Sequence, residues 1–110
     1  MTVPELVRSC FTAFHSRDRD ALEKLFSDDF AFSSPRDDHI SKAEYFERCW
    51  PNGDKHRTFE ILKLFHEGDE AFVQYELETT DGERFRNTEF FRCEGDQIKE
   101  VDVYFGRTIS

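Results

Sequence analysis

The chain has 110 residues, with 24 Asp and Glu against 15 Lys and Arg and a formal net charge of −9 when histidines are neutral. That length fits a single domain over residues 1–110 that buries its core without staples. The acidic balance excludes a nucleic-acid binder, whose partner's phosphates demand clustered Lys and Arg, and excludes attraction to an anionic membrane surface. A charged share of 35% approaches that of a disordered chain, but 13 Phe contradict disorder, because disordered segments are poor in aromatic residues. A few large rings must build the core inside a charged exterior.

The N-terminal half has helical periodicity. Thr2 and Glu5 form an S/T-x-x-E capping box, and Val3, Leu6, Val7, Cys10, Phe11 and Phe14 follow at helical spacing, predicting a helix over 3–15. Asp18 or Asp20 caps a second, short helix bearing Ala21, Leu22, Leu25 and Phe26. An extended piece over 30–34 is stopped by Pro35. A second capping box, Ser41 to Glu44, opens a third helix with Tyr45, Phe46, Cys49 and Trp50 inward, and Pro51 ends it. After Asn52-Gly53 the period changes from 3.6 to 2. Strands are predicted over 57–66, 70–79, 84–93 and 97–105, with Asp81-Gly82 as a hairpin turn. Three N-terminal helices packed on a strongly curved, four-to-five-stranded, mostly antiparallel sheet make an α+β domain.

Cys10, Cys49 and Cys93 form no C-x-x-C pair, which excludes a zinc ribbon or thioredoxin-type site. No charged-then-apolar leader opens the chain, and no apolar run approaches the ~18 residues of a membrane span. With unpaired thiols the expected location is the cytoplasm. His15, His56 and His66 are scattered without H-x-x-x-H or E-x-x-H spacing, so no metal is expected. No glycine-rich phosphate loop, dinucleotide fingerprint or nucleophile elbow is present, so no cofactor is expected.

The order helix, short helix, Leu25–Pro35 (LFSDDFAFSSP), helix and four strands ending in Val101-Asp102-Val103-Tyr104-Phe105 resembles the nuclear transport factor 2-like superfamily, in its SnoaL-like and ketosteroid isomerase-like branch. The resemblance covers nearly the whole chain. It implies a cystatin-like cone whose sheet wraps the first helix around an internal pocket for a small-molecule ligand, and a homodimer through the outer sheet face. Steroid isomerases of this kind place a base just before the proline ending the first short strand, a tyrosine on the first helix and a protonated acid on the third meander strand. Here those positions fall on Ser34, Cys10 and Glu89. Only the acid is kept in type, so steroid isomerisation itself is not expected.

Glu89 shares a strand face with Phe85 and Phe91, where desolvation would raise its pKa; the alternative is a structural acid paired with Arg86, Arg92 or Arg48. Asp37-Asp38-His39, just after Pro35, is where a displaced base would fall. Asp38 and His39 are the candidates, since a carboxylate holds a His tautomer for base chemistry; turn chemistry is the plain alternative. The expected pocket wall comprises Cys10, Phe14, Phe72, Gln74, Asn87, Phe91, Val103 and Phe105. Trp50 would close the pocket and Arg48 would clamp a ligand carboxylate. Glu76 would share the pocket face with Gln74. On β-strand 70–79, Ala71, Val73, Tyr75 and Leu77 form the opposite row, and the row not covering the pocket calls for a second subunit. Two readings stay open: a proton-transfer enzyme (isomerase, dehydratase or cyclase) acting on a small apolar or polyketide- or steroid-like ligand, and a non-catalytic ligand-binding protein.

Overall fold

The structure is a computed structural model and describes residues 1–109. In chain order it contains α1 (Val3–His15), α2 (Arg19–Leu25), β1 (Phe26–Ser34), β2 (Asp37–Ser41), α3 (Lys42–Arg48), a 3₁₀ turn (Trp50–Lys55), β3 (His56–Glu67), β4 (Glu70–Thr79), β5 (Arg84–Glu94), β6 (Gln97–Tyr104) and β7 (Thr108–Ile109). One mixed sheet runs β2-β1-β6-β5-β4-β3, with β7 added on β5. The β3–β6 meander is antiparallel, whereas β1 lies parallel to β6 and antiparallel to β2.

Both capping boxes form. The Glu5 amide donates to Thr2 Oγ1 and the Thr2 amide to Glu5 Oε1, and Ser41 and Glu44 repeat the exchange at the start of α3. Asp18 accepts from the Ala21 amide and caps α2. α1 buries Leu6, Val7, Cys10 and Phe11 against the sheet, where the Phe11 ring meets Tyr75 edge-on at 4.8 Å and Phe91 at 6.0 Å. A second aromatic cluster, Phe26, Phe30, Tyr45 and Phe46, fastens α3 to β1.

Several expectations change. The helices are not one N-terminal block, because α3 follows the β1–β2 hairpin, and among the described residues the sheet has seven strands rather than four or five. Phe26 begins β1 rather than ending a helix, since its ring is needed against Tyr45. β2 escaped the period-2 pattern because Ile40 is its only buried apolar residue. The phase of β4 against β5 also differs. A two-residue turn at Asp81-Gly82 would set Gln74 opposite Glu89. The actual loop is Thr80-Asp81-Gly82, closed by Thr79 and Glu83, with Gly82 in the left-handed region at φ 89°. That loop pairs Val73 with Glu89 and Tyr75 with Asn87. Ala71, Val73, Tyr75 and Leu77 therefore face the core, while Phe72, Gln74 and Glu76 face outward, with Phe72 50% exposed.

Candidate active site

Between α1 and the concave face of the sheet lies a cavity of about 240 Å³. Its walls are largely aromatic and aliphatic, including Phe11, Phe14, Phe32, Leu77, Val103 and Phe105. Arg36, Tyr45 and Asn52 are on its lining, and further polar side chains enter it in three groups.

The first is β4–β5. The Tyr75 hydroxyl donates to Glu89 Oε1 at 2.6 Å. Asn87, directly opposite Tyr75, donates its amide to that hydroxyl at 3.4 Å, and its carbonyl accepts from the Gly106 amide at 3.1 Å, which orients the side chain. Donation thus runs from Asn87 to Tyr75 to Glu89. The carboxyl is shielded from bulk water but open to the cavity, and among the described residues no cation pairs with it. Burial pushes its pKa up to about 7 against the downward pull of the Tyr75 hydrogen bond. Burial likewise holds the Tyr75 phenol and Cys10 thiol well above their ordinary values, with Glu89 adding to both.

The second is the β1–β2 hairpin and the end of α3. Asp37 lines the cavity with a side chain only 10% exposed; Arg48 Nη2 meets its Oδ1 at 2.8 Å, and Ser34 Oγ donates to Oδ2 at 3.1 Å. Ser34 occupies the position that the isomerase resemblance assigns to the base, and the nearby carboxylate comes from Asp37 instead. Cys49 Sγ lies 3.9 Å from Oδ2, and burial, then Asp37, pushes its thiol up to about 11. The third is His15 and His56, at the end of α1 and the start of β3.

Of the expected residues, Cys10, Phe14, Asn87, Glu89, Val103 and Phe105 line the cavity. The rest are placed elsewhere. Asp38 and His39 pair with each other outside it, Nδ1 to Oδ1 at 2.6 Å, with side chains 93% and 65% exposed. Strand alternation turns Asp38 away from Asp37, and His39, at φ 49°, breaks the alternation that would have returned its ring inward. The Asp38 hydrogen bond raises the His39 pKa. Arg48 approaches Asp37 from solvent and clamps that residue rather than a ligand. Trp50 packs on Phe14 and Phe46 beneath the Arg17 guanidinium, 3.8 Å from its ring centroid. Phe91 is wholly buried behind the cavity wall, and Phe72 and Gln74 lie on the convex face. The structural partners proposed for Glu89 are engaged elsewhere: Arg86 with Glu76, Arg92 with Glu100 and Arg48 with Asp37.

Sequence reading named the Asp37-Asp38-His39 cluster but preferred Asp38 and His39 within it, and it missed Tyr75, His15 and His56. The hairpin loop length would have revealed the Tyr75–Asn87 pair. For Asp37, the pointer was its place in the cluster just after Pro35.

Among the described residues no group of three or more His, Cys, Asp or Glu is arranged to hold a metal, and no helix is long and apolar enough to cross a membrane. Residues 7–101 match the SnoaL-like domain. No curated protein matches the chain in sequence. Among solved structures it is similar to a putative ketosteroid isomerase from Kribbella flavida (18% identity, TM-score 0.79, 98% of this chain and 80% of that one). It is also similar to a putative polyketide cyclase from Sinorhizobium meliloti (22%, TM-score 0.75, 94% and 99%). An epoxide hydrolase of the LEH-like type from M. tuberculosis shares the fold as well (14%, TM-score 0.77, 94% and 81%).

Proposed function

The chain belongs to the SnoaL-like domain family, and on that footing we propose that its cavity binds a small apolar carbonyl compound and moves a proton on it. Glu89, supported by Tyr75, is the acid that meets the ligand oxygen. Asp37 is the base that removes a proton from the carbon next to the carbonyl. The C–H electron pair then becomes the enol double bond, and the charge arriving on oxygen is met by the Glu89 proton. The observation that carries this reading is a carboxyl in an apolar cavity whose hydrogen-bond partner is a tyrosine and not a cation. With a pKa raised to about 7, a large share of the Glu89 carboxyl is protonated at neutral pH, and that form donates a hydrogen bond that the ionised form lacks. The volume, below the ~300–1,000 Å³ of drug-sized pockets, suits a ligand of one or two rings.

The test is deuterium exchange at the α-carbons of 4-phenylcyclohexanone in D₂O. The wild-type protein should accelerate it over buffer, and Glu89→Gln and Asp37→Asn should each lower the rate about a hundredfold or more. Exchange no faster than buffer would overturn the enzymatic reading. The Arg48–Asp37 ion pair favours a second reading, a binding protein without chemistry, because it engages the carboxylate that would serve as base.

We further propose a homodimer through the convex face, where Phe65 and Phe72 are exposed and Phe72 meets Phe90 at 5.2 Å. A cytoplasmic location, argued from three free cysteines, belongs to the same proposal.

A further inference from the structure

At the end of the cavity remote from Glu89, two histidines face each other. Their ring centroids are 5.4 Å apart with a 30° tilt, and both rings line the cavity. The elements fix where they stand. Along α1, His15 lies five residues beyond Cys10, about 7.5 Å further at 1.5 Å per residue, and Cys10 is the helix residue on which Glu89 acts. On the sheet, His56 pairs with Thr79, four residues along β4 from Tyr75, a displacement of about 13 Å at ~3.3 Å per residue. Phe11, Phe14 and Leu77 contribute wall along this span.

The surroundings of the pair are apolar. His15 stacks on Phe59 at 4.2 Å, and the Phe14 ring lies 5.4 Å from His15 and 5.6 Å from His56. The His56 Nδ1 is buried and has no hydrogen-bond partner among the described residues. No carboxylate pairs with either ring among those residues. The charged group acting on both is Arg17, whose guanidinium is engaged by Asp54 at 2.9 Å and by the Trp50 carbonyl at 2.7 Å. Burial first, then His56 and Arg17, lowers the His15 pKa to about 4, and burial and Arg17 lower that of His56. Both rings are therefore uncharged at neutral pH. A structural histidine in a core usually satisfies its ring nitrogens with backbone or carboxylate, because a buried unpaired polar atom costs about 1–3 kcal/mol.

We propose that His15 and His56 form a second ligand-binding station, one that takes a hydroxyl oxygen. The ligand is then an elongated apolar molecule with a carbonyl at Glu89 and an alcohol or phenol at the histidines. Neutral imidazole accepts from O–H through one nitrogen and donates to oxygen through the other. A carboxylate has no proton to give, and the cation acting on the pair is already engaged. This inference rests on the proposed carbonyl end, and the test separates the two.

The probes are 4-(4-hydroxyphenyl)cyclohexanone, which carries oxygens at both ends, and 4-phenylcyclohexanone, which lacks the phenol. Wild-type protein should bind the phenol about tenfold more tightly, the size expected of one well-made hydrogen bond. In His15→Phe/His56→Phe the tenfold ratio between the two affinities should fall to about one. In unsubstituted protein labelled with ¹⁵N, the phenol and not its analogue should shift the ring nitrogens of His15 and His56, a readout that needs no variant to fold. Equal binding in wild type, no binding of either ketone, or a preference that survives the double substitution overturns the station. A preference retained in Glu89→Gln while exchange is lost supports both ends. A preference without any exchange in wild type keeps the histidine station and removes the enzymatic reading.

Discussion

Glu76 and Glu89 sit on adjacent strands, β4 and β5, and their carboxyls have moved in opposite directions. Glu76 faces outward, where Arg86 Nη2 at 2.5 Å and Arg84 Nη2 at 3.2 Å hold its pKa below the usual range. Glu89 faces the cavity, where its partner is a phenol and burial raises it to about 7. One residue type gives a carboxyl with a lowered pKa on one face of the sheet and one with a raised pKa on the other. The difference comes from the side of the pleat each occupies and from how each loses water.

The hydrophobic version of this contrast carries the largest expected effect. Phe91 is fully buried, while its neighbour Phe90 lies on the convex face against Phe72. Phe91→Ala should cost about 3–5 kcal/mol in urea denaturation, and Phe90→Ala under ~1 kcal/mol once the protein is dilute enough to be monomeric. Equal losses would erase the distinction between the faces.

The next effect is a pH dependence. Glu89 has a folded pKa raised above its unfolded value, so its contribution to stability is full below about 4.5 and is lost as pH rises through about 7. Glu89→Gln has no proton to lose. The variant should gain on wild type as pH rises, by on the order of 2–3 kcal/mol between pH 5 and pH 9. His15 acts in the opposite sense: its lowered pKa removes stability as pH falls from the usual 6.5 towards 4. Comparing wild type with Glu89→Gln at each pH cancels the His15 contribution. Parallel stability curves for the two proteins would show that Glu89 is not held neutral.

The smallest effect belongs to the outer acid. Glu76→Gln should change stability by about 0–1 kcal/mol at low salt and less at high salt, as expected for a surface ion pair. A loss as large as that from breaking a buried pair would place Glu76 in the core after all.

Much of this contrast was open to sequence reading, but its phase was not. α1 and the four long strands announce themselves by capping boxes and periodicity, and Glu89 stood out as an acid among phenylalanines. Whether Gln74 or Val73 lies opposite Glu89 depends on one residue of loop length at Asp81-Gly82, and a one-residue slip exchanges the two faces. The same limit hid Asp37: three consecutive polar residues look alike in a row, and only the alternation of β2 and the positive φ of His39 separate the one that enters the cavity. His15 and His56 were illegible for a different reason. They meet only because the end of α1 is packed against the start of β3, a long-range contact with no local periodicity.

The parallel pairing of β1 with β6 brings Phe32 beside Val101 and closes the cavity with strands from opposite halves of the chain. Cys10, His15 and Asp37 come from one half, and Tyr75, Asn87 and Glu89 from the other. Neither half holds a site alone, so occupancy is thermodynamically tied to the integrity of the whole fold. Any molecule that fills the cavity raises global stability by RT ln(1 + [L]/Kd), whatever reaction follows. A rise in melting temperature therefore reveals an occupant of the cavity even when no turnover accompanies it.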